Sequence, residues 1–313
     1  MCTTTPSKGN TIMYDLIVIG GGPAGLTATA YAIRKRLNVL LVSKDLGGKT
    51  NFKLHLPWIE DYQVIKGLEI VNKFKSELEY LDFARHMEGV DKVEKMNGDF
   101  KVITVGGAEL PTRAVIIATG TKQLRLRVPG EKEFMMRGLC YSALSYAPLF
   151  IDKTTVVVGD SDLAQRSAAE LATIADKVYL VAKEPEKLNT PLGKKLKAAH
   201  NVDVLEGYDV AEVLGDDFAR TIVLHDPKGK VVELNADGTF IEMALIPNSQ
   251  MVAGLVEQDQ EGRIKIDCGN HTSVDGIFAA GDVTSGFAEQ VLIAVGEGAK
   301  AALSAYEYLL PKL

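Results

Sequence analysis

Gly20, Gly22 and Gly25 are the residues whose types and spacing most directly imply chemistry. They hold a G-x-G-x-x-G pattern in which each glycine has its own steric task. The first permits a tight turn, the second lets a pyrophosphate approach the backbone, and the third lets a helix pack closely on a strand. Such a turn offers unpaired N–H groups and the positive end of a helix dipole to an anion. The pattern gains weight from its context. Tyr14 to Ala32 reads as a buried apolar strand, Leu16 to Ile19, then the turn with Pro23 and Ala24, then a helix of small residues. That is a nucleotide-phosphate cradle.

A second group lies near the end of the chain. Gly276 to Val283 reads as a strand ending in Gly281-Asp282, and a run rich in alanine and glycine, Ala288 to Tyr308, follows with helical character. With this pairing of an early fingerprint and a late Gly-Asp, the chain from Met13 onward resembles the low-molecular-weight thioredoxin reductase group of FAD flavoproteins. The resemblance implies that both segments belong to one FAD domain. Asp282 would bond the flavin's ribityl chain, and Gln290 and Val291 would face the flavin ring at the start of the last helix. It further implies cofactor contacts from Ser43 and Lys44 after the second strand, from Gly48 and Asn51 in the Leu46-Gly47-Gly48-Lys49 region, and from Ala118-Thr119-Gly120 at the end of the buried run AVIIATG. The acid that usually binds a ribose after the second strand is replaced by Ser43, with Asp45 two residues on. Pro57-Trp58 is read either as ordinary packing or as a wall near the flavin.

The middle of the chain repeats the architecture. Thr154 to Val158, Leu163 to Ala175 and Lys177 to Val181 read as strand, helix and strand, a βαβ unit and an internal duplication. In the family this insert carries NADPH. Here its fingerprint is Gly159-Asp160-Ser161-Asp162-Leu163-Ala164, with a serine in place of the middle glycine and two acids beside it. A helix N-terminus offers an anion about 0.3–1 kcal/mol, whereas a carboxylate about 4 Å from a phosphate charge costs about 1–4 kcal/mol, so repulsion wins. Asp162 and Gln165 have the spacing of a capping box, which would put the protein's own acid at the helix start. The family's basic cluster for the 2′-phosphate is replaced by Ala182-Lys183-Glu184-Pro185-Glu186-Lys187. NADPH is therefore expected not to bind tightly.

The redox position is altered as well. No C-x-x-C occurs among the three cysteines, Cys2, Cys140 and Cys268. Where the family has C-A-T-C, this chain has Ser142 and Ser145, which cannot exchange disulfides. Cys140 is the candidate catalytic residue, through a relocated disulfide with Cys268 or Cys2, against the alternative of a small buried hydrophobe.

These segments need a frame, and the composition supplies one. The chain has 313 residues, 46% hydrophobic, enough for two domains with proper cores. A net charge of −6 argues against nucleic acid, and the scattered histidines and cysteines against a metal site. No apolar run reaches a membrane span, and Met1 to Asn10 lacks the apolar core of a secretory signal, so a cytoplasmic location is expected. The fold expected is α/β with two Rossmann-like, three-layer ββα domains, the second inserted in the first. Residues 13–125 with 248–313 would bind FAD, 126–247 would be the degenerate NAD(P)H-like domain, and 1–12 a tail. The function expected is an FAD-dependent oxidoreductase exchanging electrons with a dithiol or disulfide partner, ferredoxin or a second FAD. Relatives of the diflavin-linked disulfide oxidoreductase group suggest the last, with Tyr141 and Tyr146 as its aromatic neighbours. The resemblance also implies a homodimer. The alternatives are a conventional NAD(P)H-dependent reductase and a non-catalytic flavin-binding sensor.

Overall fold

The computed structural model describes residues 12–59 and 67–313, so Cys2 and the tail before Ile12 lie outside the described residues. The chain divides into two compact units. The first holds residues 12–51, 67–121 and Pro247–Leu313, and the second holds 52–59 and Lys122–Ile246. Residues 52–59 fall within the 13–125 range expected of the first domain. They group with the second because His55 makes a bridge to Arg137, and the His55 N–H donates to Met136 O at 2.9 Å.

In the first unit the strand Tyr14–Ile19 pairs in parallel with Val39–Val42 on one side and with the later half of Glu109–Ile117 on the other. Ile277–Ala279 adds a further parallel strand beside Val115 to Ile117, and Arg85–His86 extends the opposite edge. Side chains alternate across such strands. Leu16 and Val18 therefore face a cluster with Leu26, Ala28, Ala301 and Ala305 from the helices Pro23–Arg34 and Val291–Leu309. Ile17 and Ile19 face the opposite cluster, with Phe100 and Val102 of the antiparallel excursion and Val252 and Ile264 beyond it. The sheet is thus covered on both faces, as buried parallel strands require.

The second unit repeats the plan. Its parallel sheet runs in the order Val202–Glu206, Lys177–Ala182, Thr154–Val158, Gly238–Ile241, Leu139–Cys140. Val157 and Leu180 pack with Ala164, Ala168 and Leu171 of the helix Asp162–Leu171. Val156 and Val158 pack on Ile222 and Leu224 of a three-stranded antiparallel meander, Asp209–Gly215, Ala219–His225 and Val231–Asn235. The polar stretch before it is pinned: buried Glu131 accepts the N–H groups of Leu126 and Arg127, both at 2.8 Å, and the Tyr141 hydroxyl at 3.0 Å. Among the described residues no helix is long and apolar enough to cross a membrane.

Candidate cofactor site and its degenerate copy

The three glycines of the first turn separate cleanly by what a Cβ would meet. On Gly20, at φ +108°, it would lie 2.4 Å from Ala118 O, and on Gly25 it would lie 1.7 Å from Gly20 O. Both positions are closed by the protein's own backbone. On Gly22 it would meet nothing within 4 Å, so the glycine there is not required by the fold. An open glycine at the N-cap of Pro23–Arg34, with no capping side chain and no acid in the first turn, leaves the helix's first N–H groups and its dipole directed outward. This is the fit expected for the phosphates of a dinucleotide.

The other cofactor candidates gather around that opening in different ways. Gly48 approaches Gly22, its Cβ direction ending 3.1 Å from Gly22 Cα, and Gly281 likewise approaches Ala24. Ala118 is buried beside Gly20. Gly120, at φ +63°, has open space in its Cβ direction, and Thr119 Oγ1 donates to Asn248 O at 2.5 Å. Asp282, at 19% side-chain exposure, forms an ion pair with Lys49 at 2.9 Å. Ser43 is already committed to the turn, accepting the Gly21 N–H and donating to Asp45 O, both at 2.7 Å. Asn51 accepts from Lys75 and donates to Leu46 O. Both residues therefore shape the loop, and only their remaining polar capacity could face a ligand. Lys44 is exposed.

The last helix begins later than the sequence suggests. It starts at Val291 with Gln290 as its N-cap, and Ala288, at φ +65°, lies in the preceding loop. Again no side chain caps the start and no acid occupies the first turn. Gly298 brings this helix against the first, since a Cβ there would lie 2.1 Å from Ala24 O, whereas Gly296 faces open space. The sequence reading missed Arg263, which donates to Asp282 O at 3.1 Å and to Glu289 Oε1 at 2.8 Å, tying the Gly-Asp segment to the loop before the helix.

Glu297 was missed too. Its carboxylate accepts the Gly281 N–H at 2.6 Å, and burial, aided by the Asp282 charge, raises its pKa above the ordinary 4.5 despite the opposing Gly281 bond and Lys300. An acid raised on folding contributes stability that is present below its unfolded pKa and lost as pH rises through the folded value. Glu297→Gln removes that loss while keeping an acceptor. The variant's Tm should match wild type below about pH 4 and rise above it progressively towards neutrality. A constant Tm difference across pH would contradict the assignment.

In the second unit the corresponding turn has the same backbone with different contents. Ser161, at φ −73° and ψ 172°, matches Gly22 at φ −74° and ψ −176°. Gly159 repeats Gly20, its Cβ direction ending 2.5 Å from Glu242 O where that of Gly20 meets Ala118 O. Ser161 therefore carries a side chain where the first turn is open. Asp162 and Gln165 do not form a capping box. Ser161 is the N-cap, Asp162 the first helical residue, and Gln165 reaches across to Lys187 O at 3.2 Å. Asp160, beside the turn, accepts the Glu184 N–H at 3.1 Å and pairs with Lys187 at 3.2 Å, and no side chain caps the helix start. Lys187 also pairs with Glu184, and Lys183 with Asp209. Both lysines of the 182–187 stretch are thus neutralised by carboxylates.

Ser142 and Ser145 lie side by side, their hydroxyl oxygens 3.1 Å apart. Glu242 accepts the N–H groups of Ser142 and Ala143 at 3.1 and 2.6 Å, anchoring the turn in which Ser142 adopts φ +95°. Cys140, the candidate catalytic residue, sits where a reactive thiol is disfavoured. The residue is fully buried in the sheet, and burial together with the Glu242 carboxylate pushes its thiol far above the usual range, which suppresses the reactive thiolate. Among the described residues neither Cys140 nor Cys268 forms a disulfide, and the alternative pairing with Cys2 lies outside them. Tyr146 is also buried, its phenol pushed up to about 12 chiefly by that burial, so core packing accounts for it. Trp58 packs edge-on to Phe150 and donates to Leu149 O, an ordinary packed aromatic of the second unit. Among the described residues no cluster could hold a metal ion.

Two α/β units, each built on a strand, a glycine turn and a helix, define the class as a two-domain protein of the dinucleotide-binding type. The sequence profile of the pyridine nucleotide-disulphide oxidoreductase family matches residues 14–298, and the chain belongs to that family of flavoprotein oxidoreductases. It is similar to the thioredoxin reductase of Streptococcus pyogenes MGAS5005, with TM-score 0.84 and 33% identity over 96% of this chain and 99% of that one. The thioredoxin reductase of Giardia duodenalis aligns equally, with TM-score 0.84 and 29% identity over 95% and 99% of the two chains. An alkyl hydroperoxide reductase protein of Staphylococcus aureus (strain MSSA476) is 34% identical over 304 residues. The match covers 95% of this chain and 59% of that protein, so the chain spans little more than half its length.

Proposed function

We propose that the chain binds FAD in its first unit and passes electrons between the flavin and a partner other than a nicotinamide nucleotide. FAD would be held by Gly20, Gly22 and Gly25 with Pro23 and Ala24, by Gly48, by Ala118 to Gly120, by Gly281-Asp282 and by the start of the last helix at Gln290 and Val291. Ser43, Lys44 and Asn51 would shape its rim. When bound, FAD supplies a carrier for one or two electrons. The observation that carries the nicotinamide-independent reading is Ser161 in the backbone conformation of Gly22, beside an Asp160 carboxylate that has already claimed Lys187. A phosphate entering there meets a side chain and a negative charge in place of an open helix start.

The partner fits the class of a dithiol or disulfide protein, a small thiol, ferredoxin or a second FAD, and the assembly a cytoplasmic homodimer. The conventional NADPH-dependent reading draws support from the family and from the thioredoxin reductases above. An anaerobic titration followed on the flavin absorbance decides between them. Stoichiometric NADPH and NADH should leave the flavin oxidised for many minutes, while reduced ferredoxin or a dithiol should bleach it. Rapid bleaching by NADPH would overturn the proposal.

A further inference from the structure

Lys49 stands beside the open turn and makes contacts that the turn itself does not require. Its ammonium donates to Thr121 Oγ1 at 2.6 Å and to Asp282 Oδ2 at 2.9 Å. It thereby joins three segments: the Gly48–Asn51 turn, the end of the Ala118 to Gly120 stretch, and the Gly281-Asp282 loop. Gly48 leans on Gly22, and Gly281 leans on Ala24, so the ion pair spans the two segments that flank the open face of the glycine turn. Asp282 is a fixed negative charge at a site that fits an anionic dinucleotide. Lys49 is the cation the structure sets against it.

We propose that Lys49 is a positioning residue of the cofactor site, which keeps Asp282 oriented and electrically compensated so that it can accept from a cofactor hydroxyl without repelling the cofactor's phosphates. This rests on the FAD reading given above. Removing the ammonium leaves the carboxylate uncompensated near the phosphate charges, and it also removes a positive charge that favours the reduced, more negative flavin. Lys49 is 40% exposed, so its removal should cost the fold little.

The test uses apoprotein of the full chain titrated with FAD and followed by flavin fluorescence. Lys49→Met should bind FAD about tenfold more weakly than wild type. The deficit should shrink as ionic strength rises from about 0.05 to 0.5 M, because salt screens exposed charges. The apoprotein's Tm should stay within about 2 °C of wild type, and the flavin's midpoint potential should fall. Lys49→Arg, which keeps the charge, should recover most of the affinity and the potential. Wild-type affinity and potential in Lys49→Met would overturn this proposal and leave the FAD reading intact. A wild-type apoprotein that takes up no FAD would overturn both.

Discussion

Gly22→Ser is expected to yield a folded protein that binds FAD roughly 10- to 100-fold more weakly. In most glycine turns this experiment is ambiguous, because substitution damages both fold and ligand site. Here the two effects separate. A Cβ on Gly20 or Gly25 would run into backbone at 2.4 or 1.7 Å, but one on Gly22 meets nothing within 4 Å, and its φ of −74° suits any L-residue. The protein itself supplies the precedent, since Ser161 holds that conformation at the N-cap of the second unit's helix. Serine is also a favoured N-cap residue, so the apoprotein should lose no stability. The ligand loses its close approach to the helix N–H groups. Charge-assisted hydrogen bonds of this kind are worth about 1.5–3 kcal/mol, which corresponds to roughly 10- to 100-fold in affinity. Fluorescence titration of the apoprotein measures the affinity and thermal denaturation the stability. Undiminished FAD affinity in Gly22→Ser would show that the open turn is not the phosphate site.

The same comparison explains what the sequence could and could not tell. The glycine spacing, the Gly281-Asp282 pair and the βαβ repeat are local patterns, and local steric rules govern them, so the two-unit α/β plan was legible. The acids of the second turn were legible in the sequence, but their contacts were not. Asp162 has capping-box spacing with Gln165, yet the turn's long-range contacts are made by Asp160, with Lys187 and the Glu184 N–H, 27 and 24 residues away. No local period encodes such a contact. Glu242 was hidden for a related reason. A glutamate ending a strand reads as a surface charge, but this one is 1% exposed and anchors the Ser142 turn 100 residues before it. Residues 52–59 follow the first unit's loop in sequence, and only their pairing near Arg137 reveals that they pack with the second.

Ser142→Cys/Ser145→Cys should convert the hydroxyl pair into a disulfide on mild oxidation, giving the chain the C-x-x-C couple its sequence lacks. The two Oγ atoms are already in contact at 3.1 Å, on residues three apart in one short turn. A disulfide needs the sulfurs about 2.05 Å apart with Cβ atoms about 3.5–4.5 Å apart, so closing the bond asks for a movement of about 1 Å. The turn is held by Glu242 on the Ser142 and Ala143 N–H groups, which leaves the side chains to adjust. Cys140 should stay out of the reaction, since it is buried and its thiol is held protonated. Thiol counting and intact mass should therefore show a loss of about 2 Da and one internal disulfide in the double variant, reversed by dithiol. Ser142→Cys and Ser145→Cys alone should form none. Pairing through Cys140, or two thiols that persist through oxidation, would show that the serine pair does not hold a disulfide-ready geometry.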